Sequence, residues 1–436
     1  ITYGDWSSDV CSSDLSRSAG GHSILANAGF RWMSNSYKFN KSISLNTPSD
    51  EFKKIQDNAQ YPFLRTTIGD DRELVWVSTF VDAHYNFRSK YYLSASMAYD
   101  ASSVTNDLNR WNFFPSVAAA WRLSSEPFLK RLNWLEDLKL RGSYSITGNM
   151  FSTVYDYSKL YYTDRRMNST GIILREGIPN EHLELEKKNT INAGLDLSLF
   201  KQTLNLHADY FISDVNNLII RQELPIAFGF TEYSDNGAQL HRSGFEVAMD
   251  VRLQAGQLAW VIGGSVSSVM TSITALDFMN EAHDKIVTSF PGGEFLTEVD
   301  GPLNAYYGYE TDGLISTSGE LIGPKGLPME AGDVKFVDKD GNGIINEADK
   351  RAIGDPNPDL FGSIFTSLSW RNLELFLNFN YSLGNELYNH TRVLNEGMAD
   401  YANQSTAVLD RWTPDNTDAD LPRISYGDPT GNTVFS

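Results

Sequence analysis

The chain of 436 residues has almost no cysteine and no long apolar run. Its single cysteine, Cys11, excludes an intrachain disulfide and any metal or redox site built on several thiolates. No stretch of 18 consecutive apolar residues occurs, which excludes a transmembrane helix. A transmembrane β-barrel stays open, because its strands are apolar on one face only and leave little trace in hydropathy.

Basic residues and enzyme signatures are also scarce. Lys and Arg number 36 against 55 Asp and Glu, giving a formal net charge of −19. Nucleic-acid binding needs basic patches that displace counterions from phosphates, and none is present, so we expect no nucleic-acid partner. The seven histidines form no HExxH pair, and there is no Walker loop and no G-x-S-x-G elbow. We therefore expect no catalytic residue and no enzyme.

The sequence is rich instead in segments where apolar and polar residues alternate. Leu195, Leu197 and Leu199 alternate with Asp196 and Ser198, for example. Successive side chains of a strand point to opposite faces, so this period indicates half-apolar strands. Many such runs reach about 9–13 residues, longer than the ~5–6 of soluble strands and close to the ~9–11 that cross a bilayer. We expect an all-β chain of about 14 to 16 antiparallel strands.

Two further patterns bear on whether these strands form a membrane barrel or a soluble β-sandwich. Aromatic residues cluster near the ends of the runs, as in the girdles of outer-membrane barrels, although soluble sheets also pair aromatics across strands. Tight turns at 88–90, 200–202 and 371–372 alternate with long connections at 35–72, 147–188, 215–239, 271–304 and 312–360. Short turns on one rim and long extracellular loops on the other favour the barrel. The residues expected to face lipid are Leu195, Leu197, Leu199, Leu204, Leu206, Phe245, Val247, Leu373, Leu375 and Leu377.

Residues 338–349 have the ligand spacing of an EF-hand-type calcium loop. Oxygen ligands are expected from the side chains of Asp338, Asp340, Asn342 and Asp349 and from the backbone carbonyl of Ile344. A glycine at position 6 allows the sharp turn that such loops need. The last ligand is the shorter Asp in place of the usual Glu. The sequence thus predicts a structural Ca²⁺ site, with a metal-free Asp/Asn/Gly-rich turn as the alternative.

Residues 5–15 do not fit the pattern that follows them. The string SSD occurs twice there, and the tract carries the only cysteine. We expect residues 1–15 to be a foreign or artefactual tract, with an ordinary polar loop as the alternative. The barrel region is then expected over residues 16–436.

Several blocks of the sequence resemble the barrel of the SusC/RagA family of TonB-linked outer-membrane transporters. They are RSKYYLSASMAYDASSVTNDLNRWNFFPSVAAAWRLSSEPF at 88–128, LKLRGSYSITGN at 138–149, NEHLELEKKNTINAGLD at 180–196, DNGAQLHRSGFE at 235–246, and the calcium-type loop followed by IGDPNPD at 353–359. The order is colinear over about residues 85–432. The chain departs from the family pattern at Tyr99-Asp100-Ala101, where Arg-Asp-Gly is usual, at Leu185, where Trp is usual, and at His241, where Asn is usual.

The resemblance implies part of a 22-stranded barrel, with the N-terminal plug and the last strands outside this chain. It also implies TonB-dependent import of a bulky nutrient, an oligosaccharide or less often a peptide, across the outer membrane. The implied partners are a SusD-like surface lipoprotein, the TonB complex, which contacts the missing N-terminal region, and outer-membrane lipid. The alternative is a secreted calcium-binding β-sandwich, either an adhesin or a carbohydrate-binding module.

Overall fold

The computed structural model describes residues 2–44, 65–103, 109–149, 161–166, 169–174, 178, 180, 182–230, 232–278 and 281–434. The chain divides into two compact units. The first contains residues Ile1–Gln239 and Asp277–Asn280, and the second contains Leu240–Leu276 and Glu281–Ser436. Nearly all regular structure in both is β-strand, in agreement with the expected all-β class.

In the part of the chain that the structure describes, no helix is long and apolar enough to span a membrane.

The first unit is built on a series of long neighbouring strands. Their order in the sheet follows the chain, β1-β2-β3-β4-β5-β6-β9-β10, with β7 and β8 forming a separate antiparallel pair. The bounds are β1 Thr2–Ala19, β2 His22–Ser44, β3 Arg65–Phe87, β4 Tyr91–Ser102, β5 Trp111–Arg122, β6 Leu135–Asn149, β7 Tyr161–Arg166, β8 Ser169–Leu174, β9 Glu186–Leu199 and β10 Leu204–Glu223. Strand β11, Glu232–Ala255, begins in this unit and continues in the second.

The second unit combines long strands with a set of short ones. In its main sheet the order is β11-β12-β20-β21, and β13 adds to β12. Shorter strands form a second sheet, β14-β15-β16-β19, and a separate pair, β17-β18. The bounds are β12 Leu258–Phe278, β13 Glu281–Ala282, β14 Lys285–Phe290, β15 Gly293–Glu298, β16 Ala305–Gly308, β17 Thr311–Leu314, β18 Val334–Phe336, β19 Arg351–Gly354, β20 Leu360–Trp370, β21 Leu373–Leu383 and helix α1 His390–Glu396.

The predicted tight turns are confirmed, and left-handed backbone explains how they close. Arg88 and Ser89, between β3 and β4, have φ of 54° and 53°, and Arg371, between β20 and β21, has φ of 54°. Two-residue hairpins favour positive φ because that twist matches the twist of the paired strands.

The predicted long loops are shorter than expected, because strands extend into them. Strand β10 has 20 residues and β11 has 24, and these strands contain residues 215–223 and 232–239 of the loop expected at 215–239. These lengths exceed the ~9–11 residues that a bilayer requires. Beyond Ser213, β10 has apolar residues on both faces, and residues 232–239 of β11 are mostly polar, so neither part shows the alternation on which the prediction relied. Of the loops expected at 35–72 and 147–188, residues 45–64 and 150–160 lie outside the described residues.

The described residues form 21 strands, more than the 14 to 16 expected. The excess lies mainly in short strands within the connections, for example β17 with four residues and β18 with three. Segments this short carry too few residues for a period of two to be read.

The odd tract at residues 5–15 lies within β1. That strand pairs with β2 in unbroken antiparallel register. Thr2 lies opposite Phe39 at one end, and Ala19 lies opposite His22 at the other. The foreign origin of the tract stays a prediction, since polar residues at an edge can complete a backbone ladder whatever their source.

Aromatic side chains at the tight-turn end of β4 and β5 pair across the strands. Tyr91 lies opposite Trp121, and their ring centroids are 6.3 Å apart. Both rings also contact Glu126, whose carboxylate accepts hydrogen bonds from the Tyr91 hydroxyl at 2.7 Å and the Trp121 indole at 3.2 Å. Lys90 adds an ion pair to the same carboxylate at 3.1 Å. The motif residues Trp121 and Glu126 thus fix the end of two strands.

Candidate functional site

The strands of the first unit separate apolar from charged side chains onto two faces. In the register of β6, β9 and β10, Leu197 lies opposite both Leu138 and Leu206. The adjacent Asp196 lies opposite Lys139 and His207, on the other face. None of the ten residues expected to face lipid is buried. An uncovered apolar face agrees with lipid contact, which stays a prediction.

The charged face carries a row of ion pairs centred on Arg141. Its guanidinium donates two hydrogen bonds to Asp209, at 3.0 and 2.8 Å, and one to Asp196 at 3.0 Å. His207 contacts the second oxygen of Asp196 at 3.0 Å. Gly194 lies beneath this row, where a Cβ would come within 2.5 Å of Asp209 and 2.6 Å of Arg141. Bidentate guanidinium–carboxylate pairs hold both groups in one geometry, so this polar surface is ordered.

The calcium-type loop brings together the three carboxylates that its spacing predicted. Asp338, Asp340 and Asp349 each offer one oxygen, and these atoms lie within 4.8 Å of one another. The Asn342 side-chain oxygen accepts the Ile344 backbone N–H at 2.7 Å, and the Ile344 carbonyl accepts the Asn346 side-chain amide at 3.1 Å. The structure therefore places all five expected ligand residues in one compact turn.

Backbone donors support the two ends of this loop. Asp338 accepts hydrogen bonds from the N–H groups of Gly343 at 2.7 Å and Gly341 at 2.8 Å, and these hydrogen bonds lower the pKa of its carboxyl. Asp349, only 2% exposed, accepts from Lys339 N–H at 2.8 Å and Asn346 N–H at 2.9 Å. Both carboxylates are thus oriented by the turn itself, and the backbone hydrogen bonds to Asp338 favour its ionised form.

The loop is attached to the small apolar core of the second unit. Ile345 belongs to the buried cluster of Tyr309, Ile315, Met329 and Phe336. Its backbone N–H donates to the Ile322 carbonyl at 2.9 Å, and the Ile322 N–H donates to Gly343 at 2.9 Å. This anchor fixes where the acidic loop sits within its unit.

Several motif residues that are far apart in sequence meet in one polar cluster of the first unit. Glu186 accepts from Asn149 at 2.7 Å and from the Ile219 N–H at 2.9 Å. Asn236 accepts from the Glu184 N–H at 2.6 Å and donates to the Glu184 carbonyl at 2.9 Å. The cluster pins the segment before β9 against the start of β11.

A family model described as "TonB dependent receptor-like, beta-barrel" matches residues 2–319, well over half of the chain. The chain belongs to this family. It is therefore an outer-membrane β-barrel protein, and the soluble β-sandwich that the periodicity had left open is ruled out. The family is one of receptors and not of enzymes, which confirms the expectation that the chain is not an enzyme.

Individual relatives agree with this assignment. The chain is 29% identical over 425 residues to TonB-dependent receptor P3 of Formosa agariphila, covering 93% of this chain and 41% of the relative. It is 26% identical over 357 residues to TonB-dependent receptor SusC of Bacteroides thetaiotaomicron, covering 76% of this chain and 33% of the relative. The chain thus spans less than half the length of these relatives.

A solved structure shows the same fold. The RagAB peptide importer in its "closed-closed" state superposes with a TM-score of 0.80 at 22% identity, covering 98% of this chain and 46% of that chain. At this identity the likeness establishes the architecture alone.

No pattern in the sequence indicates a second buried anchor, around Asp333. This residue is fully buried and accepts hydrogen bonds from Arg423 at 2.7 Å and Asn432 at 2.8 Å. Burial raises the pKa of its carboxyl, but the hydrogen bonds from Arg423 and Asn432 outweigh it, so the net pKa is lowered. The partners lie about ninety residues apart, and only the fold brings them together.

Proposed function

We propose that this chain is part of a TonB-dependent importer that carries a bulky nutrient, most often an oligosaccharide or otherwise a peptide, across the outer membrane. The observation that carries this is the two-faced wall of β6, β9 and β10, in a chain of the TonB-dependent receptor family. An apolar face toward lipid and an ordered, ion-paired face toward water is the surface arrangement of a barrel that encloses a polar conduit.

The partners belong to the same proposal. A SusD-like surface lipoprotein captures the nutrient outside the cell, and the TonB complex supplies energy from the periplasmic side. Support comes from the similarity to TonB-dependent receptor SusC and from the fold shared with the RagAB peptide importer.

Uptake in the native host tests this function. A strain lacking the gene is expected to lose growth on one class of oligosaccharide or peptide while keeping growth on the corresponding monomers. Restoring the complete gene should restore growth, and a protonophore should abolish uptake of the labelled oligomer. Unchanged growth of the deletion strain on all oligosaccharides and peptides offered would contradict the proposal.

We also propose that residues 338–349 bind Ca²⁺ as a structural ion. Hard oxygen ligands from Asp338, Asp340, Asn342, Asp349 and the Ile344 carbonyl suit this cation. Three carboxylates within 4.8 Å repel one another, and a divalent cation removes that repulsion. An extracellular loop would meet enough calcium to fill a site with a Kd of about 10⁻⁴–10⁻³ M.

Calcium titration of the chain with calorimetry tests the loop. We expect a saturable heat and slower proteolysis around residues 338–349 when calcium replaces EDTA. Asp340→Asn should weaken binding at least tenfold, because one charged ligand is lost. Asp312→Asn is the matched control, since Asp312 is an exposed carboxylate paired with Lys335 outside the loop. Absence of heat at millimolar calcium, with proteolysis unaffected by EDTA, would show that the loop is a metal-free turn.

A further inference from the structure

The second unit contains a cavity of about 410 Å³, and its lining includes no residue of β6, β9, β10 or the calcium-type loop. Its walls come from β16 and β19, from helix α1 and from the segment that ends at Val434. The residues that matter for its chemistry are Tyr306, Glu386, Tyr388, Arg392 and Glu396. This volume lies at the lower end of the ~300–1,000 Å³ typical of small-molecule sites, enough for a short stretch of an oligomer.

Polar groups of both kinds line this cavity. The Arg392 Nε donates to Glu396 Oε2 at 2.6 Å, which leaves the terminal guanidinium nitrogens and the other carboxylate oxygen outside this bond. The Arg392 side chain is 61% exposed and that of Glu396 is 17% exposed, so the pair runs from the rim inward. Glu386 uses one oxygen to accept the Asp355 N–H at 2.8 Å. Charged donors and acceptors thus stand within one small space.

The charge of the lining restricts the ligand. Two glutamates and one arginine leave one net negative charge among the charged side chains that line the cavity. A carboxylated or sulfated ligand would be repelled most strongly by Glu396, whose side chain is only 17% exposed and whose charge is therefore screened less than that of a surface carboxylate. An uncharged ligand rich in hydroxyl groups meets no such penalty and can donate to the carboxylates while accepting from the guanidinium.

The rest of the cavity lining is apolar and aromatic. Tyr306 and Tyr388 belong to a ring cluster with Phe290, whose centroid lies 6.2 Å from Tyr306 and 5.5 Å from Tyr388. Val393 and Leu421 add aliphatic surface. A pyranose ring has one face of C–H groups and an edge of hydroxyls, so it fits a lining in which apolar side chains stand beside paired charges.

The side chains that line the cavity are also preorganised. Asn432, which lines it, accepts the Val334 N–H at 2.9 Å and donates to buried Asp333 at 2.8 Å. The Tyr388 hydroxyl donates to the Gly292 carbonyl at 3.0 Å. Side chains that are already held by other bonds lose little entropy when a ligand binds.

We propose that this cavity is a binding site for a sugar ring of an uncharged oligosaccharide, with Glu396 and Arg392 as its hydroxyl-binding pair. The inference rests on the proposed import function and narrows it to neutral glycans. The pair contacts the ligand directly, while Tyr306 and Val393 pack against the C–H face of the ring.

Calorimetry on the full chain in detergent tests the site, with maltotriose, cellotriose and xylotriose as the neutral probes. Trigalacturonic acid and trialanine serve as the anionic and peptide probes. We expect at least one neutral trisaccharide to bind and the anionic one to bind at least tenfold more weakly. Glu396→Gln should weaken binding of the neutral trisaccharide at least tenfold. Val393→Phe, which fills the cavity, should abolish that binding.

Glu374→Gln is the matched control, because Glu374 is an exposed carboxylate on β21 outside the cavity. Far-UV circular dichroism checks that each variant keeps its strands. Three outcomes overturn the inference: no neutral trisaccharide binds at millimolar concentration, the anionic or peptide probe binds as tightly, or Glu396→Gln leaves binding unchanged. If one of these outcomes is found while the host still takes up the oligomer, the proposed site is refuted and the import function stands.

Discussion

The wall strands β6, β9 and β10 and the loop assembly, defined as residues 309–349 with 411–434, are held together in different ways. In the wall, each residue pair continues a backbone ladder, and the side chains decide which face is apolar and which is charged. In the loop assembly, strands of three and four residues supply few ladder bonds. Its cohesion comes from a small apolar cluster and from buried charge, above all Asp333 with Arg423.

The comparison teaches where each region is vulnerable. A ladder tolerates most side-chain changes provided that the environment of each face is respected. A loop assembly organised around buried carboxylates depends on a few side chains, because removing a partner leaves a buried charge uncompensated. We expect single substitutions to destabilise one region while leaving the other unchanged.

The largest effect is expected from Arg423→Met, which keeps apolar volume but leaves Asp333 buried without its cation. Breaking a buried pair in this way typically costs about 3–5 kcal/mol. We expect rapid proteolysis within the loop assembly, while the wall keeps its resistance to SDS without heating. The double variant Arg423→Met with Asp333→Asn should recover part of the loss. Equal loosening of the wall would show that the two regions are not independent.

Next comes Leu197→Arg, which places a charge on the apolar face. At the bilayer midplane this costs about 2–4 kcal/mol, and less toward the interfaces. His207→Arg is the control, because His207 lies on the opposite face beside Asp196 and the new guanidinium keeps an acidic neighbour. Unfolding by urea in lipid vesicles measures both. If the two variants unfold at the same urea concentration, the assignment of faces is wrong.

A smaller effect is expected from adding one methyl group to the wall. Gly194→Ala places a Cβ 2.5 Å from Asp209 and 2.6 Å from Arg141, so the ion pair must shift, at a cost of roughly 1–3 kcal/mol. At Gly142 the nearest atom is 4.0 Å away, so Gly142→Ala should be neutral or slightly stabilising. The same urea measurement compares them. If Gly194→Ala leaves the stability unchanged, the side chains of Arg141 and Asp209 can shift without losing free energy.

The smallest effect is expected from acid. The pKa of Asp333 is lowered in the folded chain, so its contribution to stability is fully present above its unfolded pKa of about 3.9. That contribution is lost as pH falls below this value and through the folded pKa. Hydrogen exchange should therefore speed up in the loop assembly before it does in the wall. In Arg423→Met with Asp333→Asn this acid response should shrink, and a full response there would assign it to other carboxylates.

The wall was predictable from the sequence to a large extent. Alternation at Leu195, Leu197 and Leu199 identified the apolar face, because strand geometry alone sends alternate side chains to opposite sides. The prediction failed in residues 215–223 of β10 and 232–239 of β11, where the strands continue but apolar and polar residues do not alternate. The spacing within 338–349 likewise identified the acidic turn, because ligands that close together in sequence need only local folding to meet.

By itself, the sequence determined the all-β class, the two faces of the wall and the composition of the acidic turn, since each follows from neighbours a few residues apart. Only the tertiary structure decided that Asp333 meets Arg423, that Asn149 meets Glu186, and that Glu386 and Glu396 border one cavity with Tyr306. These partners are separated by tens of residues. Their meeting depends on which strands pair and where each connection returns, which no local period encodes.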